Sequence, residues 1–175
     1  VVEDVEAQVL VIVGAPLHVD RDATGRVASF GRERLELGEL RPIVGVGAVI
    51  VVGDKVVLIR RRFEPMKGHW SLPGGAVEIG ETLEECVARE MQEETGLEVE
   101  VGPVIEVFDR IMKDDESRVE YHYVLVDYLC WPVAGELRAG SDVDAAVLVD
   151  PSEFGPYQLT KKATSVIERG LQMAQ

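Results

Sequence analysis

From Val44 the chain sets short apolar runs between turn-forming residues: VGVGAVIVV, the dipeptide Gly53-Asp54, then KVVLIRRR. Two runs rich in β-branched residues around a glycine-containing turn predict a hairpin, its second strand closed by Arg60, Arg61 and Arg62. Upstream, EAQVLVIV at residues 6–13 reads as a strand ending at Gly14-Ala15-Pro16, and RVASF and RLEL read as a small hairpin. A loop over residues 63–73 ends in Trp70-Ser71-Leu72-Pro73 and meets Gly74-Gly75, a pair that tolerates backbone angles other residues resist. Then the period changes. Thr82 is placed to cap a helix with Glu84 and Glu85 in its first turn, ending near Thr95 with Gly96 just beyond. LEVEVG and VIEVFDRI predict strands on either side of Gly102-Pro103, VEYHYVLVDYLC another after the acidic turn KDDES, and DAAVLVD one more. Residues 160–174 predict a closing helix. Strands outnumber helices, and the expected class is α/β (α+β): a mixed β-sheet between α-helices. The predicted division is residues 1–41 as a β-rich extension and 42–175 as the main domain.

The helix after Thr82 carries a conflict. At about 100° per residue, Leu83, Cys86, Val87, Glu90, Glu93 and Glu94 fall within roughly one third of the circumference, with Arg89 at its edge. The opposite side, with Glu84, Glu85, Ala88 and Gln92, is an ordinary wet face. Three carboxylates therefore share the apolar stripe. Clustering like charges at a core margin is unfavourable, because desolvation and repulsion both oppose ionisation. A divalent cation relieves both, and oxygen donors without Cys or His favour Mg²⁺ or Mn²⁺ over zinc. The alternative is a helix rolled so that the acids face solvent, bridged by Arg89.

Composition narrows the field further. With 32 acidic residues against 18 Lys and Arg, the formal charge is −14; this disfavours a nucleic-acid polymer or an anionic membrane surface as partner. A small anionic substrate held through a metal remains compatible. No apolar run approaches the roughly 18 residues of a membrane span, and VVEDVEAQ lacks the basic start of a secretory signal, so a cytoplasmic location is expected. Cys86 and Cys130 lie far apart without CxxC spacing and read as buried free thiols.

Spacing decides between the two readings of the helix. Gly75, five residues, Glu81, seven residues, then Arg89-Glu90-Met91-Gln92-Glu93-Glu94-Thr95-Gly96-Leu97 resembles the Nudix box, GX5EX7REUXEEXGU with Met91 as the aliphatic U. At ordinary residue frequencies the chance of such a match is on the order of one in ten million. The sequence is identified as a member of the Nudix hydrolase family, with GHWSLPGG and the strand order from about Pro42 fitting it. The resemblance implies hydrolysis of a nucleoside diphosphate linked to another moiety X, with Mg²⁺ or Mn²⁺ as cofactor.

Carried over position by position, it implies metal binding by Glu90, Glu93 and Glu94 with a carbonyl of the glycine turn, Gly74 or Gly75. Glu81 is a supporting acid, and Arg89 holds a neighbouring glutamate. The proton acceptor stays open: Glu93 or Glu90 in the box, or an acid on a later loop. Many relatives carry a Glu just before the strand matching DAAVLVD; here Asp142 and Asp144 lie nearby, and Glu116 and Glu120 are further candidates. Arg60, Arg62 and Gly75 are expected to contact substrate, with Arg61, Lys67 and His69 close in sequence. Trp70, Phe108, Tyr121 and Tyr123 are open between packing and base stacking. The resemblance is to ADP-ribose pyrophosphatase-like members, some of which use an N-terminal extension to build a homodimer, so ADP-ribose or a related nucleotide sugar is the first expected substrate. The alternatives are a (d)NTP such as 8-oxo-dGTP, NADH, a dinucleoside polyphosphate, or a nucleotide-binding sensor without turnover.

Overall fold

The computed structural model describes residues 41–63 and 66–175. The expected strand at 6–13, the hairpin after it and the dimer-building role of residues 1–41 lie outside the described residues.

The predicted hairpin forms from β1 (Ile43–Val52) and β2 (Lys55–Arg61), paired antiparallel about Gly53-Asp54. Two short strands follow, β3 (Trp70–Ser71) and β4 (Gly74–Ala76), then helix α1 (Leu83–Thr95). The helix starts where its side chains dictate. Thr82 accepts the Glu85 N–H while the Glu85 carboxylate accepts the Thr82 N–H, a reciprocal capping box. It ends on Gly96, whose φ of 70° is left-handed and easiest for glycine.

Two 17-residue strands, β5 (Leu97–Lys113) and β6 (Val119–Gly135), pair antiparallel around the turn at residues 114–118. β5 fuses the two strands expected on either side of Gly102-Pro103. Pro103 has no N–H to give the ladder, so the register shifts between Val101 and Val104 while the strand continues. β7 (Val143–Val149) pairs with β2, two single-turn 3-10 helices follow, and α2 (Lys161–Met173) closes the chain.

The sheet is mixed. Its main path runs β3-β2-β1-β6-β5, with β4 on β1 and β7 on β2. β1 and β6 are parallel, matching Gly45 to Leu125 and Gly47 to Asp127; the other pairs are antiparallel. Each face carries a core. Val46, Ala48, Ile50, Val126 and Tyr128 pack with Cys86, Val87 and Met91 of α1, whereas Val49, Leu58, Ile105 and Leu129 pack with Val166 and Ile167 of α2. Both cysteines are buried free thiols. No helix among the described residues is long and apolar enough to cross a membrane.

Candidate active site

The acids of α1 do turn toward the protein. Its buried residues are Cys86, Val87, Met91, Glu94 and Thr95, so the inward stripe is rolled toward Met91 and Thr95 from the expected centre. That roll grades the three carboxylates from core to rim. Glu94 is 7% exposed, whereas the side chains of Glu90 and Glu93 are 13% and 28% exposed.

Arg89 organises the outer part of this group. Its Nε and Nη2 donate to the two oxygens of Glu81 at 3.1 and 2.7 Å, and Nη1 donates to Glu90 at 2.7 Å. Glu93 lies 3.8 Å from Nη1, and the Ala76 carbonyl accepts a weaker bond at 3.3 Å. Such a two-pronged contact fixes the guanidinium plane as well as its charge. Held by Arg89, the Glu81 carboxyl drops to about 2 despite some opposing burial, and the Glu78 N–H bonded to it assists. Glu81 and Glu90 are thereby joined through one shared guanidinium.

The glycine turn supplies the opposing wall. The N–H of Gly74 donates to Glu94 at 2.8 Å, and a Cβ at Gly75 would collide with the Glu90 carboxylate. The bare backbone at Gly75 lets Glu90 close on β4, whereas a Cβ at Gly74 would meet the Val46 carbonyl of β1. Burial pushes the Glu94 carboxyl up to about 8 against the help of the Gly74 N–H, with the Glu90 and Asp142 charges adding repulsion. Burial likewise raises Glu90, more than Arg89 can lower it, and Glu93 and Asp142 push the same way.

Of the later acids, Asp142 is thus the one whose charge is felt by both Glu90 and Glu94. The loop bearing it is fastened on two sides. Gly140 donates to the Glu94 carbonyl and Arg138 to that of Thr95, while Arg62 donates to the Ser141 carbonyl, to the Val143 carbonyl at 3.0 Å and to Asp144 at 3.1 Å. Asp144 and Arg62 are therefore engaged with each other. Glu116 pairs with Arg118 in the exposed turn between β5 and β6, and Glu120 is exposed at the start of β6.

Among the three arginines ending β2, Arg61 is the one whose charge reaches Glu94. Arg60 is exposed, 5.8 Å from the Trp70 ring. A register shift between Arg60 and Arg61 breaks the strand's alternation there, as bulges do when they re-aim a side chain. Trp70 packs edge-on against Tyr157, with centroids 4.9 Å apart, within the α2-side core. Sequence reasoning did not single out Arg110, which lies close enough to Arg61 to feel its charge; the alternation Phe108, Arg110, Met112 was the available signal.

Among the described residues no three acidic, His or Cys side chains form a ready-made cation cage. The donor set nevertheless fits a hard divalent cation: carboxylate oxygens only, one of them buried and raised to about 8 by burial and like charge. Removing that repulsion is what such an ion does best.

Known proteins carry the same pattern. A family model described as the NUDIX domain matches residues 41–169. The chain belongs to the Nudix family. Among Nudix relatives, an "ADP-ribose pyrophosphatase" of Methanocaldococcus jannaschii is 39% identical over 111 residues, 63% of each chain. A "putative 8-oxo-dGTP diphosphatase 2" of Mycobacterium tuberculosis is 36% identical over 125 residues, covering 60% of this chain and 80% of that one. The crystal structure of a MutT Nudix hydrolase from Burkholderia pseudomallei superposes with a TM-score of 0.64 at 31% identity, covering 74% of this chain and 98% of that one. This chain spans less than two thirds of the length of the archaeal relative.

Proposed function

We propose that the chain is a Nudix pyrophosphohydrolase that cleaves a nucleoside diphosphate linked to X, with ADP-ribose or a related nucleotide sugar as substrate. One observation carries the reading: Glu94 is buried and Glu90 mostly covered against the Gly74-Gly75 backbone with both carboxyls raised, and Glu93 stands at the rim beside them. That arrangement costs stability in the free protein and becomes useful when positive charge arrives. Glu90, Glu93 and Glu94 would hold Mg²⁺ or Mn²⁺, which supplies neutralisation of the diphosphate and acidification of water.

The chain's own residues do the rest. Arg89, anchored by Glu81, keeps Glu90 turned toward the glycine turn. Arg61, near Glu94, offers charge to a phosphate oxygen. Water adds to one phosphorus, the bridging P–O bond breaks toward the other phosphate, and a carboxylate takes the proton. Glu93, for its exposure, and Asp142, whose charge bears on Glu90 and Glu94, are the acceptors this reading favours. The intact set of acids argues against a sensor without turnover.

The similarity to a relative named for 8-oxo-dGTP makes nucleoside triphosphates the second reading. A substrate panel with Mg²⁺ and Mn²⁺, its products separated by chromatography, distinguishes them. AMP with ribose 5-phosphate from ADP-ribose supports the first; a nucleoside monophosphate with pyrophosphate, and no turnover of ADP-ribose, supports the second. No hydrolysis of any member would overturn both.

A further inference from the structure

The sheet face that carries α2 is only partly covered by it. Near the start of the helix, the Lys162 ammonium lies 4.5 Å from the Phe108 ring and bonds Glu106 at 2.6 Å, which accounts for Phe108 as a packed residue. Beyond Phe108 the same face continues outward. Register matches Phe108 to Leu125, Arg110 to Tyr123 and Met112 to Tyr121, and in a pleated sheet directly paired residues share a face.

Two features of this outer half are not accounted for by packing among the described residues. The first is charge. Arg110 is half-buried, yet among the described residues no carboxylate bonds it: its guanidinium donates to the Met66 sulfur, a weak acceptor that cancels no charge. Burial pulls Arg110 below the usual arginine value, and the nearby Arg61 charge pushes it further the same way. A half-buried guanidinium whose bonded acceptor is a sulfur is stabilised when an anion reaches it.

The second is aromatic surface. Tyr121 and Tyr123 stand two apart on β6 with ring planes 16° from parallel and centroids 5.9 Å apart, a stacked pair rather than an edge-to-face core contact. Tyr123 feels both Arg61 and Arg110, and Arg61 also reaches Glu94. Register sets Arg110 beside Tyr123 and Met112 beside Tyr121, and the Arg61 charge bears on Arg110 and Tyr123 as it does on Glu94.

We propose that this outer half of the sheet is the subsite for the nucleoside monophosphate part of the substrate, with Tyr121 and Tyr123 as the platform for the nucleobase and Arg110 as the contact to the phosphate nearest it. Diphosphate then spans from Arg110 to the box acids, and X points away from the tyrosines. The subsite rests on the pyrophosphohydrolase reading for its substrate, but its affinity for a nucleotide is measurable without turnover. An aromatic platform is tolerant of base identity, so the contact selects for a nucleobase as a class.

The experiment is calorimetric titration of the full chain with AMP and, separately, with ribose 5-phosphate, alongside KM and kcat for ADP-ribose with Mg²⁺. The variants are Tyr123→Leu, Tyr121→Leu, Arg110→Gln and Arg110→Lys, with His122→Ala, on the opposite side of β6, as control. Either leucine variant is expected to weaken AMP binding about tenfold, with KM rising by a similar factor and kcat changing less than KM. Arg110→Gln weakens AMP similarly and Arg110→Lys recovers part of the loss; ribose 5-phosphate shows no dependence on either tyrosine, and His122→Ala leaves AMP binding unchanged. Unchanged AMP affinity in Tyr123→Leu and Arg110→Gln, with wild-type melting curves, would overturn the subsite, as would wild-type protein that binds no AMP. Tyr- and Arg110-dependent AMP binding by a protein that hydrolyses nothing in the panel would leave the subsite standing and remove the pyrophosphohydrolase reading.

Discussion

The two helices invite direct comparison. Each is 13 residues long, each starts on a threonine whose side chain accepts a backbone N–H, and they serve opposite faces of one sheet. α2 buries Val166, Ile167 and Gly170, as an amphipathic helix should. α1 buries Cys86, Val87 and Met91 but also Glu94, with Glu90 nearly covered beside it. The same capping chemistry and the same sheet thus support one helix that stabilises the protein and another that gives up stability to present acids. A departure from amphipathic patterning on a face turned toward the sheet points to function rather than to packing.

The comparison breaks if α1's acids can be removed without consequence for activity. Glu93→Gln is expected to lower turnover on the order of a thousandfold while leaving the melting temperature near wild type, because its side chain is 28% exposed; steady-state kinetics with circular dichroism checks both. The mirror experiment is Ile167→Ala on α2, where a fully buried side chain is cut back. It should cost about 3 kcal/mol in denaturant unfolding and leave kcat per folded molecule unchanged.

Two smaller effects sharpen the contrast. Glu81 is held from 4.5 to about 2 by Arg89, so its contribution to stability is fully present above about pH 4.5 and is lost as pH falls through about 2. Glu81→Gln should cost about 2 kcal/mol at neutral pH, shrinking toward nothing under acid, and urea titrations at several pH values would reveal the convergence. Asp127, buried at 6% exposure on the α2 face, goes the other way: burial raises it from 3.8 to about 6. Its folded form binds the proton more tightly than the unfolded chain, so stability falls as pH rises through that window. Asp127→Asn should therefore stabilise by about 1 kcal/mol at pH near 8 and make no difference at pH near 3, measured by the same titrations.

What could be read from the chain alone was whatever depends on near neighbours. Thr82, Glu85 and Gly96 are local signals, and the frame of α1 followed from them. The spacing of Glu90, Glu93 and Glu94 placed them on the inner side before any fold was known. The roll of the helix was not legible, because it is set by contacts with β4 and β5; the buried stripe proves to centre on Val87 and Glu94 and to extend to Met91 and Thr95. Choosing among Arg60, Arg61 and Arg62 needed the irregular pairing of β2 with β7. Asp142 could be separated from Asp144 only once Arg62 was seen holding the latter. Arg110 meets Tyr123 through a strand register that joins residues 13 positions apart.

The central claim is that the raised, crowded carboxylates of α1 form a cation site in the working protein. Titration with Mn²⁺, following free ion by electron paramagnetic resonance, tests it without reference to any substrate. The account predicts binding by the wild type that weakens at least about tenfold in Glu90→Gln, Glu93→Gln and Glu94→Gln. Equal Mn²⁺ affinity in the wild type and all three variants would contradict it.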